Sequence, residues 1–163
     1  MGKRAKSSSG GAPLLVIGWR EYVDLPDWGI EHVVAKADTG ARTGAIDVSN
    51  IEELPGDRVR FEVMVDRGQP RLRKSIETAI VRRTRVKSSF GQRHDRFFVE
   101  TRVRIGPHEF AAELGLVSRR NMLCRMLLGR LFLKDRFAVD SGRQYLVGKR
   151  RRRPPRVKPD KGP

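Results

Sequence analysis

Apolar and polar residues alternate with a period of two along much of this chain. Val59, Phe61, Val63 and Val65 are separated by Arg60, Glu62 and Met64, the pattern of a strand with one buried face. Phe97, Val99, Val103 and Ile105 share one face, and Glu100, Arg102 and Arg104 share the other. After Gly106-Pro107 the alternation resumes at Phe110, Ala112, Leu114 and Leu116, which predicts a β-hairpin over 97–116. Ile76, Thr78 and Ile80 open a further strand, predicted to run on to Val86. Residues 14–19 and 32–37 are short apolar runs, the second broken by Lys36. Helical signal is sparse: Ser118 is a candidate cap for a turn through Met122, and 128–134 is the one predicted helix. Short strands separated by Gly and Pro turns predict a mainly β fold, with the sheet closed or folded over on itself.

A chain of 163 residues has room for one core. The pattern assigns 14–147 to a β-domain, 1–13 to a basic leader and 148–163 to a basic tail, both ends expected to be disordered. The formal charge of +16 is concentrated at those ends. From Lys149 onward, eight Lys or Arg face one Asp, and Lys3, Arg4 and Lys6 add three more charges, which leaves +6 for the domain. Such ends serve as solvated tails or as tethers to a polyanion such as RNA, the ribosome surface or an acidic peptide. The single cysteine, Cys124, excludes an internal disulfide and suits a reducing compartment. Residues 1–13 carry no apolar core of a secretory signal, and no run approaches the length of a membrane span. The expected location is the cytoplasm.

Candidate chemistry begins at Asp38-Thr39-Gly40, where an apolar strand enters a tight turn. Asp38 supplies a carboxylate at the strand end. Thr39 can hydrogen-bond to a partner loop, and Gly40 allows a fold that a Cβ would obstruct. Two such carboxylates face to face share one proton and titrate as a unit. One then acts as base on a water while the other acts as acid on a substrate carbonyl. The same three residue types also favour a plain turn, so the tripeptide alone leaves both readings open. A second element is Met126-Leu127-Leu128-Gly129-Arg130. In a pepsin-like half, an apolar pair followed by Gly passes beside the active-site loop, and the missing side chain permits the approach. Lys87-Ser88-Ser89-Phe90-Gly91 falls at a predicted hairpin tip, where a substrate-covering flap would lie.

These segments occur in an order that resembles a known family. Gly18-Trp19-Arg20-Glu21, Leu25-Pro26, Lys36, Asp38-Thr39-Gly40-Ala41-Arg42-Thr43 and Met126-Leu127-Leu128-Gly129-Arg130, with Val139-Asp140 and Tyr145-Leu146, look like the bacterial retropepsin-like proteins long labelled ATP-dependent zinc proteases. The resemblance covers about 14–147. It implies a retropepsin-like, pepsin-half closed β-barrel with one short helix, and an aspartic endopeptidase in which Asp38, Thr39 and Gly40 form the catalytic loop. Members are often associated with ATP-grasp ligases that add glutamates to a ribosomal protein, which implies cleavage within acidic, glutamate-containing tails. Ala41, Arg42, Lys87, Ser88, Ser89, Arg96, Gly129 and Arg130 are the expected substrate-binding residues, with Arg93 beside them at the flap. The chain departs from the family where an aromatic residue and Pro commonly precede Met-Leu-Leu-Gly-Arg; here Cys124-Arg125 stand there.

The residues do not support the label's zinc or ATP. His108-Glu109 begins a His-Glu-x-x-His motif, but position 112 is Ala, and the remaining histidines, His32 and His94, are scattered. No phosphate-binding glycine loop is present. No cofactor is therefore expected. With one Asp-Thr-Gly per chain, the second carboxylate is expected from a homodimer, or else from Asp47 or Asp140. The competing reading is a non-catalytic basic β-barrel that binds RNA, the ribosome or acidic peptides through Arg/Lys-rich strands at 71–85 and 93–104. An aromatic content of 7% and the lack of a base-stacking motif stand against it. A third reading is a degenerate protease kept as a binding scaffold.

Overall fold

The computed structural model describes residues 12–66, 69–87, 90–118 and 123–148. Its strands are β1 (Leu15–Gly18), β2 (Arg20–Leu25), β3 (Ile30–Ala37), β4 (Gly44–Asp47), β5 (Ser49–Leu54), β6 (Arg58–Asp66), β7 (Gln69–Ala79), β8 (Arg82–Lys87), β9 (Arg93–Ile105), β10 (His108–Val117), β11 (Met126–Leu128) and β12 (Phe137–Asp140). One helical turn, α1 (Arg130–Leu133), precedes β12, and Pro26–Trp28 form a 3-10 turn between β2 and β3.

The mainly β expectation holds, and the sheet does close. In the order β10-β4-β11-β3-β2-β9, with β9 pairing back onto β10, six strands form a barrel and leave no open edge among themselves. The hairpin expected at 97–116 is β9–β10, with His108 opposite Ile105 and Gly115 opposite Phe98. Its inward positions are the apolar set of the sequence pattern: Val99, Val103, Ile105, Leu114 and Leu116 are buried with Val33, Ala35, Ile46, Met126 and Leu128. β5, β6 and β7 make a separate three-stranded sheet. It buries Val59, Phe61, Val63 and Ile76, and Phe61 meets Trp28 edge to face at 5.4 Å.

Two local expectations need correction. The strand expected from Ile76 to Val86 is two strands, because the chain changes sheets between them. The N–H of Ile80 bonds to the Asp57 carbonyl at 2.8 Å, in the three-stranded sheet, and that of Val81 to the Phe98 carbonyl at 2.9 Å, on β9. The helix expected over 128–134 shrinks to one turn, since Leu128 belongs to β11 and pairs with Ala37. The period-two pattern did not single out β2, β4 and β5. The turn expected from Ser118 through Met122 lies largely outside the described residues.

β1 and β12 pair in parallel, with Gly18 opposite Asp140, and Glu21 ties β1 to the chain beyond β12. Its carboxylate is 1% exposed and accepts four backbone N–H groups: Gly18 at 2.8 Å, Leu146 at 2.9 Å, Gly148 at 2.9 Å and Val147 at 3.3 Å. A buried carboxylate is tolerated when its oxygens are satisfied in this way. The strap at 145–148 lies so close to β2 that a Cβ on Gly148 would sit 2.1 Å from the Tyr22 carbonyl oxygen.

Candidate active site

Three strands deliver the Asp38 loop. β3 carries the chain in, β4 carries it away, and β11 lies between them, parallel to β3 and antiparallel to β4. The N–H of Asp38 bonds to the Leu128 carbonyl at 2.9 Å, and the N–H of Ala37 to the Trp19 carbonyl at 2.9 Å. Beyond β11 the chain turns across the loop. The N–H groups of Arg130 and Leu131 bond to the carbonyls of Ala41 and Arg42 at 2.9 and 3.0 Å. Gly129 is what lets these backbones meet, because a Cβ there would lie 2.4 Å from the carbonyl carbon of Thr43.

The half-buried Asp38 carboxylate is held by its own loop. One oxygen accepts the N–H of Gly40 at 3.0 Å and of Ala41 at 3.2 Å, while the other accepts no hydrogen bond among the described residues. Arg130 donates from Nη1 to the carbonyls of Thr39 and Gly40 at 3.1 and 2.9 Å. The result is an oriented carboxylate with one oxygen unbonded among the described residues, next to a Thr39 hydroxyl that likewise makes no hydrogen bond among them. Such an oxygen can accept a proton from water or share one with a second carboxylate.

Asp140 opens a second Asp-x-Gly turn, Asp140-Ser141-Gly142, which the sequence reading named as a candidate acid without noting its likeness to the first. The N–H of Gly142 bonds to Asp140 Oδ1 at 2.9 Å, as Gly40 does to Asp38. The difference is at the other oxygen, where Arg143 Nε donates at 2.6 Å. The Arg143 hydrogen bond holds the Asp140 carboxyl below the usual carboxylate range. Asp47 sits at the far end of β4 and is bound by Arg125 at 3.0 Å. Both alternative acids are thus engaged by guanidinium groups, and Asp38 presents an oxygen that is not.

The structure brings Asp38, Thr39, Gly40, Ala41, Arg42, Gly129 and Arg130 together. Lys87 ends β8 and Arg93 begins β9, directly opposite it, so the expected hairpin forms. Ser88 and Ser89 lie outside the described residues. No hydrogen bond or ion pair among the described residues ties Lys87 or Arg96 to the Asp38 loop. No group of three or more His, Cys, Asp or Glu suited to a metal occurs among the described residues. Sequence reasoning missed the work of Glu21, although a charged residue at an inward position of an alternating strand is the signal for it.

The model of the RimB-like family, described as retropepsin-like aspartic endopeptidase RimB, matches residues 16–150. This chain belongs to that family. Relatives include two proteins named probable alpha-L-glutamate ligase. The one from Desulfotalea psychrophila is 32% identical over 136 residues, and the one from Shewanella halifaxensis is 29% identical over 136. Each match takes in 82% of this chain, which spans about three-tenths of the relatives' length (29% and 30%). A crystal structure of a Legionella pneumophila protein of unknown function superposes with a TM-score of 0.66 at 26% identity, over 80% of this chain and 96% of that one. Family and fold thus agree with the resemblance read from the motifs.

Proposed function

We propose that this protein is an aspartic-type peptidase whose catalytic carboxylate is Asp38, completed by a second copy of the chain. The observation that carries this reading is the asymmetry at Asp38, with one oxygen fixed by the N–H groups of Gly40 and Ala41 and the other left open. Across a two-fold axis a second Asp38 would face the first, and the pair would share one proton because like charges so close cannot both ionise readily. The ionised member takes a proton from a water between them, and that water attacks the peptide carbonyl. The protonated member donates to the carbonyl oxygen. Thr39 would bond across the axis, and Arg130 would keep the loop backbone in place. The arginine partners of Asp47 and Asp140 favour a partner chain over either residue as the second acid.

The substrate we infer is an acidic, glutamate-containing peptide. Relatives named for glutamate ligation include a segment similar to this chain, and Arg42 next to the loop is exposed with no carboxylate partner among the described residues. A glutamate ligase and the ribosome are the partners this reading suggests, with the basic tail as a route to RNA. The non-catalytic RNA-binding reading is weakened by the strands it relied on. Arg73, Arg82, Arg83, Arg85, Arg102 and Arg104 each face a carboxylate on another strand or turn, so much of the basic surface of those strands is neutralised.

Mass-spectrometric cleavage of a glutamate-tailed peptide, run beside a neutral peptide and with sedimentation at the assay concentration, tests the proposal. The expected result is cleavage that favours the acidic peptide, weakens with salt, persists with chelator and accompanies a dimer. Full activity in a sedimenting monomer would overturn the pairing, and equal turnover of the neutral peptide would overturn the substrate class.

A further inference from the structure

On the outer face of the barrel, one strand position before the Asp38 loop, two cations stand directly opposite each other. Arg20 on β2 pairs in register with Lys36 on β3. Like charges facing across an antiparallel pair destabilise it. Neither residue has a carboxylate partner among the described residues, in a domain where most arginines on the sheets have one. Lys36 is exposed and Arg20 half-buried.

Arg20 is also held in place. Its guanidinium lies 4.6 Å from the centre of the Trp19 ring and 5.7 Å from that of Tyr145. Nε and Nη2 donate to Gln144 Oε1 at 3.1 and 2.7 Å. Tyr145 in turn stacks on Tyr22 at 4.4 Å, with its N–H bonded to the Arg20 carbonyl at 2.8 Å. This leaves the Nη1 edge of a pre-oriented guanidinium for an anion, beside a mobile ammonium. Trp19 and Lys36 also join the patch to the loop. The Trp19 carbonyl accepts the Ala37 N–H, and Lys36 lies two residues from Asp38, roughly 7 Å along an extended strand.

We propose that Arg20 and Lys36 form a carboxylate-recognition subsite that binds an acidic side chain of a peptide within a residue or two of the bond presented to Asp38. The inference rests on the peptidase reading for its placement, and its chemistry is that of a carboxylate meeting a fixed guanidinium and a flexible ammonium. Nucleic acid fits less well. Arg20 lies over the Trp19 ring and Tyr22 stacks on Tyr145, which competes with a stacking base, and two cations make a short track for a phosphate backbone.

The test is binding, so that it does not depend on turnover. A fluorescent glutamate-rich peptide is titrated against the full chain carrying Asp38→Asn, alone and with Lys36→Gln or Arg20→Gln. Arg58→Gln, which removes a charge from the three-stranded sheet, is the control. Lys36→Gln and Arg20→Gln are each expected to weaken binding roughly tenfold, and the control to leave it unchanged. The exposed Lys36 side chain makes no hydrogen bond or ion pair among the described residues, so its variant keeps the test valid if Arg20→Gln unfolds.

Unchanged affinity in a folded Lys36→Gln protein, or no binding at all, would overturn the subsite. So would a charge-matched RNA that binds through Lys36 when the peptide does not, or a Lys36→Gln protein that loses only its self-association. Peptide binding through Lys36 with no cleavage by the wild type would instead retain the subsite and sink the peptidase reading. Cleavage with a KM unaltered by Lys36→Gln would do the reverse.

Discussion

At Asp27 four donor groups converge on one carboxylate. Thr101 Oγ1, the N–H of Arg102, and Nε and Nη2 of the Arg102 guanidinium all bond to it, joining the 3-10 turn to β9. The Arg102 side-chain hydrogen bond leads in holding the Asp27 carboxyl below its ordinary value of 3.8. A depressed native pKa adds stability that is present above the unfolded value and lost as pH falls through the folded one. Asp27→Asn should therefore cost about 0.5–1 kcal/mol at neutral pH, a small figure because solvent screens the pair. The gap in urea midpoint from wild type should close as pH falls below about 4. A gap that stayed constant down to acid pH would contradict this account. The partners of Asp27 and Glu21 were illegible in the sequence, since they lie 75 and up to 127 residues away, even though the inward charge at Glu21 was itself a signal. The turn at Asp38 was legible because it is built from three consecutive residues, with the Gly40 N–H bonded back to Asp38.

At the level of elements, Gly129 fixes the distance between β11 and the start of β4. Gly129→Ala places a methyl group against the Thr43 carbonyl, which is backbone and cannot rotate away. The expected cost is about 1–3 kcal/mol, read as a lowered Tm, with the Asp38 loop displaced as well. An unchanged Tm would mean that the two segments are not in contact. Element existence followed from alternation wherever one face of a strand is buried, as in β6, β9 and β10. Alternation failed where a strand is short, as in β4, or mostly exposed, as in β5, whose residues 50–53 all face solvent. It also failed at Ile80-Val81, where the period continues although the chain changes sheets. The one-turn helix was overestimated because apolar spacing cannot distinguish the end of a buried strand from the start of a helix.

For the whole molecule, a closed barrel presents the Asp38 carboxylate on a loop clamped by β11 and Arg130. Closure was legible in the sequence as a class of fold. The three-stranded sheet as a separate layer was not, because strand order is set by long-range packing rather than local pattern. The central claim is that the Asp38 carboxyl group itself performs acid–base chemistry. Its most direct test compares wild type with Asp38→Asn in cleavage of a glutamate-tailed peptide, with thermal melting to confirm that both are folded. Asn keeps the shape of the loop and can still accept the N–H of Gly40 and Ala41, but it cannot share or donate the catalytic proton. We expect cleavage by the wild type and its loss by at least about a thousandfold in a variant of similar Tm. A folded Asp38→Asn protein that cleaves the peptide at the wild-type rate would contradict the account.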